Sequence, residues 1–167
     1  MNPHKGGIIG VFYFRGDEIG GREFQFNRYA VDARHFIPLG SIQRVLAVRV
    51  YTSLDRADEG SVVPFYMHPS LGGGQSLRGF RDFRFRDANL MYLSAEYRWE
   101  AAPALEFALF YDTGRAFPEG ERFSFRHLRK NVGFGVRLKS SQGVMMRFDI
   151  AQGDEGTRVQ FKFGHAF

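Results

Sequence analysis

The end of the chain alternates strictly. Val159, Phe161, Phe163 and Phe167 share one phase, broken only at His165, while Arg158, Gln160, Lys162, Gly164 and Ala166 share the other. Successive side chains of a strand point to opposite faces, so this pattern predicts a strand with one apolar and one polar face. The same period of two predicts eight strands, over 7–15, 24–35, 43–53, 89–99, 104–114, 132–139, 143–152 and 157–166. In the fourth, Met91, Leu93, Ala95, Tyr97 and Trp99 oppose Tyr92, Ser94, Glu96 and Arg98. In the fifth, Leu105, Phe107, Leu109 and Tyr111 oppose Glu106, Ala108, Phe110 and Asp112. In the sixth, Val132, Phe134, Val136 and Leu138 oppose Gly133, Gly135, Arg137 and Lys139. No segment of useful length carries a helical period.

The predicted connections alternate in length. Arg15 to Glu23, Leu54 to Ala88 and Arg115 to Asn131 are long; Ile37 to Ile42, Glu100 to Pro103 and Lys139 to Gln142 are tight. Only the hairpin near Gly153 to Gly156 is short where a long loop is due. Outer-membrane barrels have short periplasmic turns and longer extracellular loops, and their strands alternate lipid-facing and interior residues. The expected fold is therefore all-β: an antiparallel transmembrane β-barrel of about eight strands, forming one outer-membrane domain over residues 1–167.

Composition narrows the class. The 167 residues suit a single domain, and the 19 Phe and 20 Gly stand out. No stretch approaches the roughly 20 apolar residues that a membrane helix requires. The mean hydropathy of −0.30 does not count against a barrel, whose two faces average out along the sequence. The chain has no cysteine, which suits an envelope protein without disulfides. Met1 to Gly6 are polar and too short for an apolar leader, so a mature chain or one with its leader removed is expected.

At the longest connection the residues resemble a family. The run from Leu71 to Phe80, Leu-Gly-Gly-Gly-Gln-Ser-Leu-Arg-Gly-Phe, is similar to the inward-folded loop of BamA- and TamA-type barrels, the bacterial surface-antigen superfamily, with its Arg-Gly-aromatic tip. Further matches follow in order: Ala95 to Arg98, Phe110 to Gly114, Gly133 to Arg137, and Arg147 to Ala151. Upstream, Asp32 to Leu39 also resembles the family, so the likeness covers about residues 24–167. It implies that segment 55–88 folds toward the lumen. It also implies a loop lock of Arg78, Gly79, Phe80, Glu96 and Asp112, supported by Phe110, Gly114, Gly133, Gly135, Arg137 and Asp149. Phe161, Phe163 and Phe167 would form the C-terminal barrel signal. The implied function is assembly or translocation of other proteins at the bacterial outer membrane.

The residues allow the lock to be rebuilt. Glu96 and Asp112 lie on neighbouring strands in the phase turned away from lipid, so an inward loop would bring Arg78 to two carboxylates. A guanidinium is a planar fork suited to paired carboxylates. Gly79 is expected to let the tip turn sharply and Phe80 to pack on the lumen wall. The alternative is that Arg78 is a solvated loop residue.

Other chemistry fits these residues less well. Arg78, Arg81, Arg84 and Arg86 interleave with Phe80, Phe83 and Phe85, as in binders of single-stranded nucleic acid. Asp82 and Asp87 dilute that pattern, and a loop facing anionic lipopolysaccharide accounts for the arginines and the net charge of +5, so no nucleic-acid partner is expected. Gly72 to Gly74 lack the Lys-Ser/Thr pair of a phosphate loop. Histidines at 4, 35, 68, 127 and 165 have no ligand spacing, so no metal is expected. No catalytic residue, cofactor or enzymatic activity is expected.

Members of the resembled family carry larger barrels and periplasmic repeat domains, and these eight strands correspond to the second half of such a barrel. Lipid offers no hydrogen-bond partners, so the outer strands must pair with each other, with further copies in a homo-oligomer, or with a missing half. The first strand is apolar on both faces, with Ile8, Phe12 and Phe14 on one and Ile9, Val11 and Tyr13 on the other, and Gly6, Gly7 and Gly10 soften it. It reads as a seam that opens sideways, as a contact with lipid or a subunit, or as a strand packed on its own loop's aromatics. Expected partners are membrane lipid, lipopolysaccharide and client outer-membrane proteins. The alternative function is a stand-alone small barrel, oligomeric or not, that organises or perturbs lipid without clients.

Overall fold

The computed structural model describes residues 4–21, 23–122, 124–140 and 143–163. Eight long strands form one antiparallel meander: β1 (Gly6–Gly16), β2 (Phe26–Leu39), β3 (Ser41–Ala57), β6 (Asn89–Ala102), β7 (Leu105–Phe117), β8 (Arg129–Ser140), β9 (Gly143–Gly153) and β10 (Gly156–Phe163). Inside the long connection, β4 (Ser70–Leu71) pairs with β5 (Phe85–Arg86). A 3-10 turn, Phe65–Met67, precedes them.

Most strands are longer than the alternation predicts. Backbone pairing continues where the face pattern lapses: Arg56 and Ala57 still pair with Asn27 and Phe26. The long loop therefore begins at 58 rather than at 54 or 55. The predicted turn from Ile37 to Ile42 contracts to Gly40 alone, at φ +73°, where the left-handed backbone favours glycine. Pro38 is accommodated because the register shifts between Pro38 and Leu39, a bulge being one of the few places a sheet tolerates proline. The connections 17–25, 58–88 and 118–128 are long and those at 40, 103–104 and 154–155 short, with residues 141–142 outside the described set.

The faces are inverted relative to a water-soluble sheet. On β6, Tyr92, Ser94, Glu96 and Arg98 are buried while Leu93 and Trp99 are exposed. On β7, Glu106, Ala108, Phe110 and Asp112 are buried while Leu109 and Tyr111 are exposed. Asn131 and Arg137 on β8, and Arg147, Asp149 and Ala151 on β9, turn to the buried face; Val132, Phe134, Phe148 and Ile150 turn out. A contiguous apolar face of this extent is not stable against water and marks contact with protein or membrane. Every phase read from the sequence on β6, β7 and β8 holds.

The sheet is open. Among the described residues β1 and β10 do not pair, so this chain alone does not form the closed ring that eight strands suggested. Space is the reason, because an eight-stranded ring has room only for side chains and here the 58–88 loop lies on the inner face. Nor does β1 pack on its own loop's aromatics. Ile9 and Val11 on one face are 75% and 76% exposed, Ile8 on the other is 63% exposed, and its rings meet β2, Tyr13 on Tyr29 and Phe14 on Phe26.

A loop anchored on a buried charged face

The inner face collects the charges. β6 contributes Glu96 and Arg98, β7 Glu106 and Asp112, β8 Arg137, and β9 Arg147 and Asp149, all nearly devoid of solvent contact. An unpaired charge in such a place is expensive. The loop completes the set, because Arg78 enters from 58–88 and is itself 2% exposed.

Arg78 uses its whole fork. Nε and Nη2 each donate to Asp112 at 2.8 Å, Nη1 donates to Glu96 Oε2 at 2.6 Å, and the Phe110 ring lies 3.4 Å below the guanidinium carbon. A bidentate carboxylate contact over an aromatic face is the arrangement guanidinium satisfies and ammonium does not. Burial works against the charge on Arg78, yet Asp112 and then Glu96 hold its pKa above the ordinary guanidinium value. Asp112 also accepts from Ser94 Oγ at 2.7 Å and Asn131 Nδ2 at 3.0 Å. Glu96 accepts from Arg137 Nη2 at 2.6 Å and Arg98 Nε at 2.7 Å, so it faces three guanidinium groups. Arg137 continues to Glu106 at 3.1 Å.

Further contacts hold the loop backbone. Arg147 donates to the Gly74 carbonyl, Arg49 Nη1 to Gln75 O at 3.3 Å, and Gln160 Nε2 to Arg78 O at 3.0 Å. Arg147 Nε lies 2.8 Å from Asp149 Oδ2, but the pair is not aligned as a hydrogen bond. Phe80 is fully buried with Leu71, Leu77, Leu90 and Tyr92 and meets Phe85 edge to face at 5.0 Å.

The structure thus brings together Arg78, Glu96, Asp112, Phe110 and Arg137. Gly79 has a second reason besides the turn. Its φ is not left-handed, and what excludes a side chain is Asn131, whose Cβ would lie 2.6 Å from an added Cβ. The tip does turn at Gly79, which sits with Arg78 at the centre of a turn closed by Phe80 N donating to Leu77 O at 3.1 Å, while the left-handed backbone falls on Gly72 and Gly73, at φ +119° and +80°. Gly114, Gly133 and Gly135 are also close-approach positions, against Met91 O, Phe110 and Asp149. Asp149 stands with Arg147, separate from the Arg78 contacts. Phe161 and Phe163 are exposed on β10 and pack edge to face, while Phe167 lies outside the described residues. Arg98, Ser94, Glu106, Asn131, Tyr92 and Arg147 stand outside the lock expected from the sequence, although parity alone places Ser94 and Arg98 beside Glu96 and Glu106 beside Asp112, and Arg98 and Arg147 lie in the matching motifs. No group of three or more His, Asp or Glu residues is placed to hold a metal ion among the described residues.

Fold and site define a class: an antiparallel β-wall, apolar outside and charged within, with a long loop ion-paired to its inner face. The Omp85 superfamily domain matches residues 1–167, and the chain belongs to that superfamily, one of outer-membrane assembly and translocation factors at family level. The crystal structure of BamA from Haemophilus ducreyi lacking POTRA domains 1–3 is similar with a TM-score of 0.78 at 18% identity, covering 97% of this chain and 38% of that one. The likeness is one of fold, and this chain spans well under half of that BamA chain. No curated protein matches.

Packing around Phe110 is testable. A Cβ on Gly133 would sit 2.3 Å from Phe110 Cζ and 2.4 Å from the Ile150 carbonyl. Gly133→Ala is expected to destabilise the chain by about 1–3 kcal/mol, as overpacking does, read as a lower urea midpoint in detergent.

Proposed function

We propose that this chain is an integral outer-membrane β-wall that takes part in the assembly or translocation of outer-membrane proteins, with the 58–88 loop locked to its inner face by Arg78, Glu96 and Asp112. The observation that carries the reading is the inverted sheet, on which exposed Leu93, Leu109, Val132, Phe134 and Ile150 surround a buried array of ion pairs. Hydrocarbon suits the first face and a lumen the second. Family membership supports the location and the client chemistry. In this reading the long connections face the outside, where their arginines meet lipopolysaccharide, and the short turns face the periplasm.

The open edges need partners, because lipid cannot satisfy unpaired backbone groups. Strands from outside this sheet complete the wall, either those of a larger barrel or those of further copies. The two exposed faces of β1 favour a second reading, a homo-oligomeric barrel that organises or perturbs lipid without handling clients.

Reconstitution separates the two. Vesicles containing the chain are expected to speed the folding of a urea-denatured outer-membrane barrel. An unchanged folding rate, together with a detergent-extracted particle several times the chain mass, would establish the second reading instead. For the lock, Arg78→Ala, Glu96→Ala and Asp112→Ala should each cost roughly 3–5 kcal/mol, as breaking a buried pair does, and open segment 58–88 to protease. Cleavage no faster than in the unmodified chain in all three would refute the lock. On the outer face, Leu109→Arg should impair insertion into vesicles, by up to about 2–4 kcal/mol if the site lies at mid-bilayer, whereas an unaffected yield would contradict a lipid-facing position.

A further inference from the structure

One basic cavity serves neither the lock nor the backbone anchors. Between the loop and the start of β10, Gly79, Arg81, Arg84, Glu155, Thr157 and Arg158 line a space of about 440 Å³. That volume falls in the range of small-molecule sites, about 300–1,000 Å³. Arg84 is occupied, its Nη2 2.8 Å from Glu155 Oε1 and its Nε 3.0 Å from Oε2. Thr157 donates its hydroxyl to Gln152. Arg81 and Arg158 engage no acceptor among the described residues, and the Nε of Arg158 is sealed from solvent with no partner among them. Three cations therefore stand against one carboxylate, and a buried donor lacks the acceptor that such groups nearly always have.

The missing complement is an anion with several acceptor oxygens. A carboxylate occupies one guanidinium fork with its two oxygens, as Asp112 does with Arg78. Two arginines without an acceptor among the described residues, one from the loop and one from β10, need more oxygens than one carboxylate carries, and a tetrahedral group supplies them. The cavity lies at the end of the sheet that carries the 58–88 connection and beside the unpaired β10 edge. We propose that it binds a phosphoryl group, held by Arg81 and Arg158, with Glu155 restraining Arg84 and lowering the affinity. The phosphoryl group is the chemistry shared by a lipid headgroup and a free phosphate or diphosphate. The proposal rests on the cavity and not on client handling, so it survives whichever reading of function holds.

The test is calorimetric titration of the full chain in zwitterionic detergent with inorganic phosphate, pyrophosphate and, separately, lipid A in mixed micelles, with far-UV circular dichroism confirming strand content. Saturable binding is expected, weakened about tenfold or more by Arg158→Gln and by Arg81→Gln, as loss of a charge-assisted hydrogen bond implies. Glu155→Gln should tighten it, because Arg84 is released. Arg44→Gln, which removes the same charge at the far, short-turn end of β3, should leave it unchanged. Saturation by lipid A alone assigns the site to a headgroup, and saturation by the inorganic ions as well assigns it to phosphoryl groups in general. No saturable binding to any probe, an equal loss with Arg44→Gln, or weaker binding in Glu155→Gln would overturn the proposal.

Discussion

The neutralisation of charge on the inner face is the constraint that organises this molecule. Strands β6 and β7 bury Glu96, Glu106 and Asp112 on one surface, and Arg98 is the only cation those two strands supply at the core of the array. Arg137 from β8 and Arg78 from the loop make up the difference. The dependence is mutual, because Arg78 could not be buried without its carboxylates, and Asp112 without the Arg78 guanidinium would keep only neutral donors, among them Ser94, Asn131 and, at 3.4 Å, Tyr92. An ion-pair array of this kind need not be more stable than an apolar one, but it is far less tolerant of losing a member. Its effect is to specify where the loop lies.

That placement governs the rest of the architecture. A loop lying on the inner face leaves no room for the strands to close tightly around it, and the sheet stays open at β1 and β10. In the proposed reading the apolar outer face lies in lipid, a medium that cannot satisfy those edges. An inner face that requires filling and edges that require pairing make this chain a part of a larger wall in the proposed reading. The exposed apolar residues on both faces of β1 lie at one of those edges, and the basic cavity lies beside the other.

Strand number, strand order and face assignment were legible in the sequence because a period of two fixes the side of every residue once one is known. Parity put Glu96, Arg98, Glu106 and Asp112 on one surface before any contact was seen. Boundaries were less legible. Ala57 pairs with Phe26 although the hydrophobic pattern has lapsed there, because ladder hydrogen bonds do not depend on side-chain polarity. The turn at Gly79 was legible from local rules, but its close approach to Asn131 depends on a residue 52 positions away, which such rules do not see.

Alternation and the ordered motifs by themselves determined that the chain forms an antiparallel sheet with one apolar face and a charged one, and that Arg78, Glu96 and Asp112 were candidates to meet. Tertiary structure alone decided that Arg137 reaches past β7 to Glu96 on β6, that Arg147, Arg49 and Gln160 hold the loop backbone, and that among the described residues the sheet does not close and Arg158 is left without an acceptor. Parity is a local property that each strand carries along its own length. Pairing across strands depends on register, on sheet curvature and on the path of a 31-residue connection, 58–88, and these exist only once the whole chain has folded.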